Sequence, residues 1–440
     1  MKTRVAQLAK ATRQQWRLAG VRNLVGGGVT GIAVTLANRV LVLGSAIILA
    51  RILGPEGYGI YAFAIALMAI LSLGTEFGMY SLLVRDVSVA HSKGDDRTIV
   101  GLRNNAFRFA LISSAIIVIL GSVLIWTTPL VPDLNERVTF TLMLIILPAN
   151  TLIRLSAAIL NGLRRISWAQ VVESFLLPAM VLGGLLILVV LKPGSVLSAL
   201  PMFMYLISAI IIAALVLFIL HRIINKAKST KIVERKVNGL QARARPFLLI
   251  GAAGIITGQL DTVFVGVFLE NSETALYRVA AQGATLIWFG IQIFQSITAP
   301  YFARLHNSGD FQNLKRLFKW TTVLSILSAV PIFIIFIFFG RILIDFAFGP
   351  DYVDAQPLLI ILAIGYTINV SCGPIGSILV MMGRENFVSK TLMVTSSINI
   401  VMALVLIQLI GVTGVAISTG FSIALYHVAL RIYGWRRCGI

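Results

Sequence analysis

The sequence predicts an all-α polytopic membrane protein, with about 12 transmembrane helices in two six-helix lobes around a central cavity. Three observations carry this. Of 440 residues, 58% are hydrophobic and only 12% are charged, about half the charge of a soluble domain. Apolar runs of 18 or more residues recur along nearly the whole chain, and a helix needs about 20 such residues to cross a bilayer. A basic linker at 221–245 leaves six runs on either side. The ten-residue alternation expected of a membrane β-barrel does not occur.

The elements follow in order. Residues 1–23, "MKTRVAQLAKATRQQWRLAGVRN", form a basic arm. Lys10, Arg13 and Arg17 share one helical face, and Val5, Leu8 and Trp16 share another. That pattern suits an amphipathic helix on a membrane surface. No apolar core precedes residue 24, so no signal peptide is expected. The N-terminal lobe, 24–220, holds runs at 24–50, 57–84, 105–130, 138–160, 168–191 and 198–220. The C-terminal lobe, 246–440, holds runs at 246–269, 276–302, 320–340, 356–382, 390–410 and 412–432. The second and eighth runs exceed what a bilayer needs, so tilt or protrusion is expected. Pro374 should break or kink the tenth. The loops are too short for a soluble domain on either side.

Charge gives the orientation. With the N-terminus inside, the inner arm, loops and tail hold 30 Lys/Arg, the outer loops 4 and the spans 3. The corresponding acids number 6, 8 and 3. This satisfies the positive-inside rule and places both termini in the cytoplasm, in the cytoplasmic membrane. The net charge of +20 is therefore a topology signal rather than a nucleic-acid footprint, since the bases are spread over seven segments. Their heaviest cluster, the 221–245 linker, suits anionic lipid headgroups. Cys372 lies in a span and Cys438 in the inner tail, so neither predicts a disulfide. All four histidines fall on the inner side. No cofactor or metal site is expected, and an enzyme with catalytic groups on an outer face is disfavoured.

Ionisable residues inside spans mark pathways. Six occur: Arg39, Glu76, Arg154, Glu173, Asp261 and Arg278. Glu173 and Arg278 lie close enough to a charged loop to snorkel, so a structural reading is preferred for them. The other four sit deeper. Polar faces accompany them: Thr35, Asn38 and Arg39; Asn150, Arg154 and Asn161; Gln282, Thr285, Gln292 and Ser296; and Gly365, Asn369, Gly373 and Gly376. Each stripe alone is as well explained by hydrogen bonds between helices. Several from both halves favour a water-filled interior. Gly74 and Gly78 flank Glu76, and Gly254 and Gly258 precede Asp261, spacings that admit close helix contacts. Glu76 and Asp261 are candidates for a coupling ion, a proton or sodium. For Glu76 an ion pair with Arg39 is equally open, since their depths differ by roughly 8 Å at helical rise.

The halves also repeat weakly. Tyr61 matches Tyr277, and Gly94-Asp95 matches Gly309-Asp310 at an offset of 215. Parallel repeats of this kind hold substrate between them. At the level of motifs, "LARILGPEGYGIYAFAIALMAILSLGTEFGMYSLLVRDVS" (49–88), "DTVFVGVFLENSETALYRVA" (261–280) and "FAFGPDYVDAQPLLIILAIGY" (346–366) resemble the polysaccharide exporters. That family flips lipid-linked oligosaccharides, within the superfamily that also holds the multidrug and toxic-compound extruders. The resemblance implies alternating access and a polyprenyl-diphosphate-linked glycan as cargo. It also implies service to surface polysaccharide synthesis beside polymerase and chain-length machinery. The arginines suit a diphosphate, because guanidinium is always charged and offers a planar fork. Candidate substrate contacts are Arg39, Asn38, Arg154, Gln292 and Asn369. An ion-coupled drug antiporter of the same architecture is the main alternative.

Overall fold

The computed structural model describes residues 2–129, 131–191, 196–225 and 239–438, with side chains from residue 34 on except at 191, 225, 249, 250, 253, 300 and 438. The faces of the basic arm and most of the basic linker lie outside the described residues. No strand occurs among those described.

The first helix, α1, runs Lys2–Glu76 and is broken at Gly54, where φ is 66°. Only glycine adopts that backbone at low cost, and Pro55 then opens the second segment. The expected second run does not continue straight to Val84. It turns at Phe77 and Gly78, with φ of 46° and 71°, and resumes as α2, Met79–Ser92. A Cβ on Gly78 would collide with the backbone at Ala244 and Leu248, so the glycine serves both the turn and a close contact with a helix of the other half.

The rest of the first half comprises α3 (Asp96–Thr127), α4 (Leu134–Gly162), α5 (Ile166–Gln170), a π turn over Val171–Leu176, α6 (Leu177–Leu191) and α7 (Ala199–Asn225). The second half comprises α8 (Leu240–Phe268), α9 (Asn271–Asn307), α10 (Phe311–Phe348), α11 (Ala355–Ser371), α12 (Ile375–Met381), α13 (Glu385–Ile410) and α14 (Val412–Tyr433). Aspartates cap three of these helices. Asp95, Asp133 and Asp310 each accept from the backbone N–H three residues on, at 3.1 Å, which satisfies an otherwise orphaned donor.

Among the described residues, eight helices are long and apolar enough to cross a membrane, or nine if α11 and α12 form one span bent by 43°. The bend falls at Pro374, as the sequence predicts. α1 carries two apolar runs in one broken helix, and α9 interrupts its apolar run with a polar stripe.

Each half packs chiefly on itself: α4 against α7 and α3, and α9 against α10 and α11. The halves meet where α1 crosses α8 and α9. At one end, near the Gly54 break, the junction is tightly closed. Arg51 donates to the carbonyls of Ala347, at 2.8 Å, and Phe346. The Tyr352 hydroxyl donates to the Ala50 carbonyl at 2.9 Å, and the Asn271 amide to Glu136 at 2.7 Å. The backbone of Asn271 fills the space a Cβ on Gly59 would need. Toward the other end α1 exposes Val40, at 70%, and α9 exposes Ile297 and Tyr301.

The repeated Gly-Asp motifs build one and the same turn. Asp95 N–H donates to Ala90 and Asp310 N–H to Leu305, both at 3.0 Å, and both preceding glycines have positive φ.

Candidate functional site

Polar side chains gather in two places, one in each half. In the first half α1 ends at Glu76, whose carboxylate meets the Arg154 guanidinium of α4 at 2.6 Å. Arg154 also lies over the Tyr80 ring, 5.6 Å from its centroid. The Tyr80 hydroxyl donates to Glu173 at 2.8 Å and accepts from Asn161 at 3.1 Å. Glu173 sits in the π turn, a local widening often found at functional sites. Arg39 takes no part here: the structure gives Glu76 a different partner from the one proposed on depth alone. Glu76 faces α4 at the end of its helix, where the chain turns, whereas Arg39 faces the second half.

The second-half site is a cavity of about 460 Å³, the size of a small-molecule site. Arg39 enters it from α1, Asp261 from α8, Arg278 and Gln282 from α9, Asn369 from α11 and Asn399 from α13. Asp261 is 5% exposed and accepts from the Asn399 amide at 2.9 Å. The hydroxyls of Thr419 and Tyr277 lie beside it, 3.2 Å apart. Two nearby buried oxygens, Asn399 Oδ1 and Ser422 Oγ, have no hydrogen-bond partner among the described residues. A carboxylate, two hydroxyls and a free amide oxygen form an oxygen-rich cradle suited to a hard monovalent cation or a proton.

Gly254 and Gly258 line this cavity, and a Cβ on either would meet nothing within 4 Å. The expectation of a close helix contact is corrected here: these glycines leave room rather than admit a neighbour. The α9 stripe divides. Gln282 and Thr285 line the cavity, while Gln292 and Ser296 stand outside its lining. Of the α11 stripe, Asn369 faces the cavity, whereas Gly365 packs against the backbone of Gly420. Asn38 is half-buried and outside the lining.

A second cavity of about 210 Å³ adjoins the first, sharing Val42, Arg278 and Gln282. Tyr58, Tyr61 and Tyr205 supply its aromatic wall. Gln282 donates to the Tyr58 hydroxyl at 3.4 Å, and Arg278 to Gln259 at 3.5 Å. Arg278 is thus no snorkelling residue, since it stands at the junction of both cavities. Glu173 likewise does not snorkel, being held by Tyr80. Tyr61 and its repeat partner Tyr277 occupy matching roles, one in each cavity. That match was the available sequence signal for the tyrosines. Asn399 and Thr419 carried none, because a single polar residue in an apolar run reads equally well as a helix contact. Among the described residues no cluster of three or more metal-ligating side chains forms.

Comparison with known proteins places this geometry. The sequence pattern of the family described as "Polysaccharide biosynthesis protein" matches residues 25–306, and that of "MatE" matches 246–405. A Shigella flexneri protein named "Putative O-antigen transporter" is 22% identical over 89% of this chain and 93% of its own. The structure of the lipid II flippase MurJ in an inward closed conformation superposes with a TM-score of 0.68 at 16% identity, over 91% of this chain and 86% of that one. An inward-facing multidrug resistance MATE family transporter superposes at 0.70 and 11% identity, over 94% and 98%. These last two likenesses are of fold.

Proposed function

The chain belongs to the polysaccharide biosynthesis protein family, and from that premise we propose that it flips a polyprenyl-diphosphate-linked oligosaccharide from the inner to the outer leaflet of the cytoplasmic membrane. The observation that carries the reading is the cavity that two arginines, Arg39 and Arg278, enter from different halves. Two guanidiniums facing one space suit an anion with several oxygens. Arg39, Arg278 and Asn369 hold the diphosphate in this reading. Arg154 is engaged by Glu76, and Asn38 and Gln292 stand outside the lining, so none of the three contacts cargo in this conformation. The sugar extends toward the tyrosine-walled cavity.

Movement is by alternating access between the lobes 24–220 and 246–440. The contacts around Arg51 and Tyr352 close the outer end, while at the cytoplasmic end α2 meets α8 through Gly78 and the Asp86–Arg243 pair and the exposed inner parts of α1 and α9 face the inner leaflet. Both termini are cytoplasmic, as the charge count predicts. Outward transfer of an anion is favoured by a membrane potential negative inside, at about 2.3 kcal/mol per charge per 100 mV. Asp261 is the coupling site, taking a proton or sodium with Asn399 Oδ1. Glu76, already paired, is structural. The protein performs no covalent chemistry, uses no cofactor and supplies polymerase and chain-length machinery with cargo.

Loss of the gene should leave lipid-linked oligosaccharide on the inner leaflet and remove surface polysaccharide, with glycosyltransferase activity in extracts unchanged. Normal surface polysaccharide in a strain lacking any second flippase would falsify the assignment. The second reading, an ion-coupled drug antiporter, draws on the match of residues 246–405 to MatE. It predicts efflux of organic cations, which a cavity holding two arginines and one carboxylate disfavours.

A further inference from the structure

The hairpin between α9 and α10 carries a groove of about 290 Å³ that the transport reading does not use. Its rim is Tyr301 and Arg304 on α9, and Arg316 and Trp320 on α10, over a floor of Leu305 and Leu317. Tyr301 is 52% exposed and Trp320 57%. Among the described residues neither arginine meets a carboxylate. The turn's own acid, Asp310, is held by the backbone and side-chain amides of Asn313. Lys315 and Lys319 stand exposed on the same turns of α10.

The internal repeat supplies a control. The α2–α3 hairpin makes the same turn, with the same backbone bonds and the same aspartate cap. At the offset of 215, Tyr301, Arg304, Arg316 and Trp320 correspond to Asp86, Val89, Gly101 and Asn105. Building this turn therefore requires neither the arginines nor the aromatic rings. In the first half Asp86, the counterpart of Tyr301, pairs with Arg243 of α8, while Val89 stays exposed. In the second half Tyr301, Arg304, Arg316 and Trp320 are all exposed.

We propose that this groove binds an anionic phospholipid of the adjacent leaflet. The phosphate sits between Arg304 and Arg316, and the Tyr301 and Trp320 rings lie at the level of the glycerol, where aromatic belts form. The acyl chains descend along Ile297, Leu324 and Leu327, which continue the two helix faces inward and are exposed at 47%, 43% and 64%. That apolar strip favours a lipid over a free phosphate. Basic pockets between helices on the cytoplasmic side are the setting in which such headgroups are held.

The test uses the full-length protein in detergent, titrated with phosphatidylglycerol or phosphatidylcholine and read by native mass spectrometry. Phosphatidylglycerol adducts should form well below the concentration phosphatidylcholine needs. R304Q with R316Q should weaken them about thirtyfold, following the surface attraction of two basic residues. R97Q with R108Q removes the same charge from the other hairpin and should leave them unchanged. As a second readout, brominated phosphatidylglycerol should quench a part of the tryptophan fluorescence that W320F lacks. Equal loss from both double variants would reduce the effect to bulk charge and overturn the site. Displacement by inorganic phosphate would make it a phosphate site, and displacement by stoichiometric polyprenyl diphosphate would make it a cargo dock. Either result rejects the proposal, and neither would overturn the flippase reading.

Discussion

Glu76 and Arg154 show how a charge is kept inside this protein. The Glu76 side chain is 8% exposed and the Arg154 side chain 36%. Neutralising one partner leaves the other buried and uncompensated, which costs about 3–5 kcal/mol for a fully buried pair and less for one partly wet. Glu76→Gln should therefore lower the melting temperature by several degrees, and Glu76→Gln with Arg154→Gln should recover most of it. Thermal unfolding in detergent checks both. Equal Tm values for the single and double variants would show that the pair contributes nothing. At Asp261 the expectation is opposite. Asp261→Asn keeps the shape beside Asn399 and should insert and melt normally while losing any dependence of transport on proton or sodium gradients. Flipping assays in vesicles with imposed gradients would show this, and retained gradient dependence would remove Asp261 from the coupling role.

At the scale of elements, the glycines separate into two kinds. Gly78 combines a left-handed backbone with a neighbour so close that no Cβ fits, so Gly78→Ala should reduce folded yield through both strain and overlap. Gly254 and Gly258 face open cavity. A Gly258→Leu change should leave folded yield near normal, as helix propensity even favours it, yet abolish transport by occupying the cavity. Size-exclusion yield beside flipping activity distinguishes the two. The reverse pattern would mean that the cavity is not the pathway. The same spacing of glycines thus marks a tightly packed turn in one place and a cavity-facing helix in the other. Sequence spacing could not tell them apart, since both depend on what the opposite half places there.

On the scale of the whole molecule, the two halves are joined at the Gly54 end by Arg51, Tyr352 and Asn271, and at the other end by α2 against α8. Arg51 caps the last carbonyls of α10, the negative end of that helix. Such a link has to open if the halves rock apart. Arg51→Ala should weaken the closed end and raise labelling of a cysteine placed at Ser45, which lines the smaller cavity, by an impermeant maleimide added outside. Unchanged labelling would mean that Arg51 does not hold that end. Orientation is checked with single cysteines at Ser229 and Asp351. In intact cells only position 351 should react, and the opposite pattern would invert the topology.

The sequence by itself determined the membrane class, the helical fold, the family resemblance and the break at Pro374. These depend on composition and local pattern: apolar length, charge bias and residues that cannot continue a helix. It also pointed to Arg39, Asp261 and Asn369, because polar groups deep in an apolar run need a polar surrounding. Tertiary structure alone decided who meets whom. It gave Glu76 to Arg154 rather than Arg39, brought Arg278 from a presumed membrane edge to the junction of two cavities, and set Asn399 and Thr419 beside Asp261. Those choices turn on helix rotation and on which faces of helices far apart in the chain oppose each other. Packing fixes such pairings, and no local pattern in the chain encodes them.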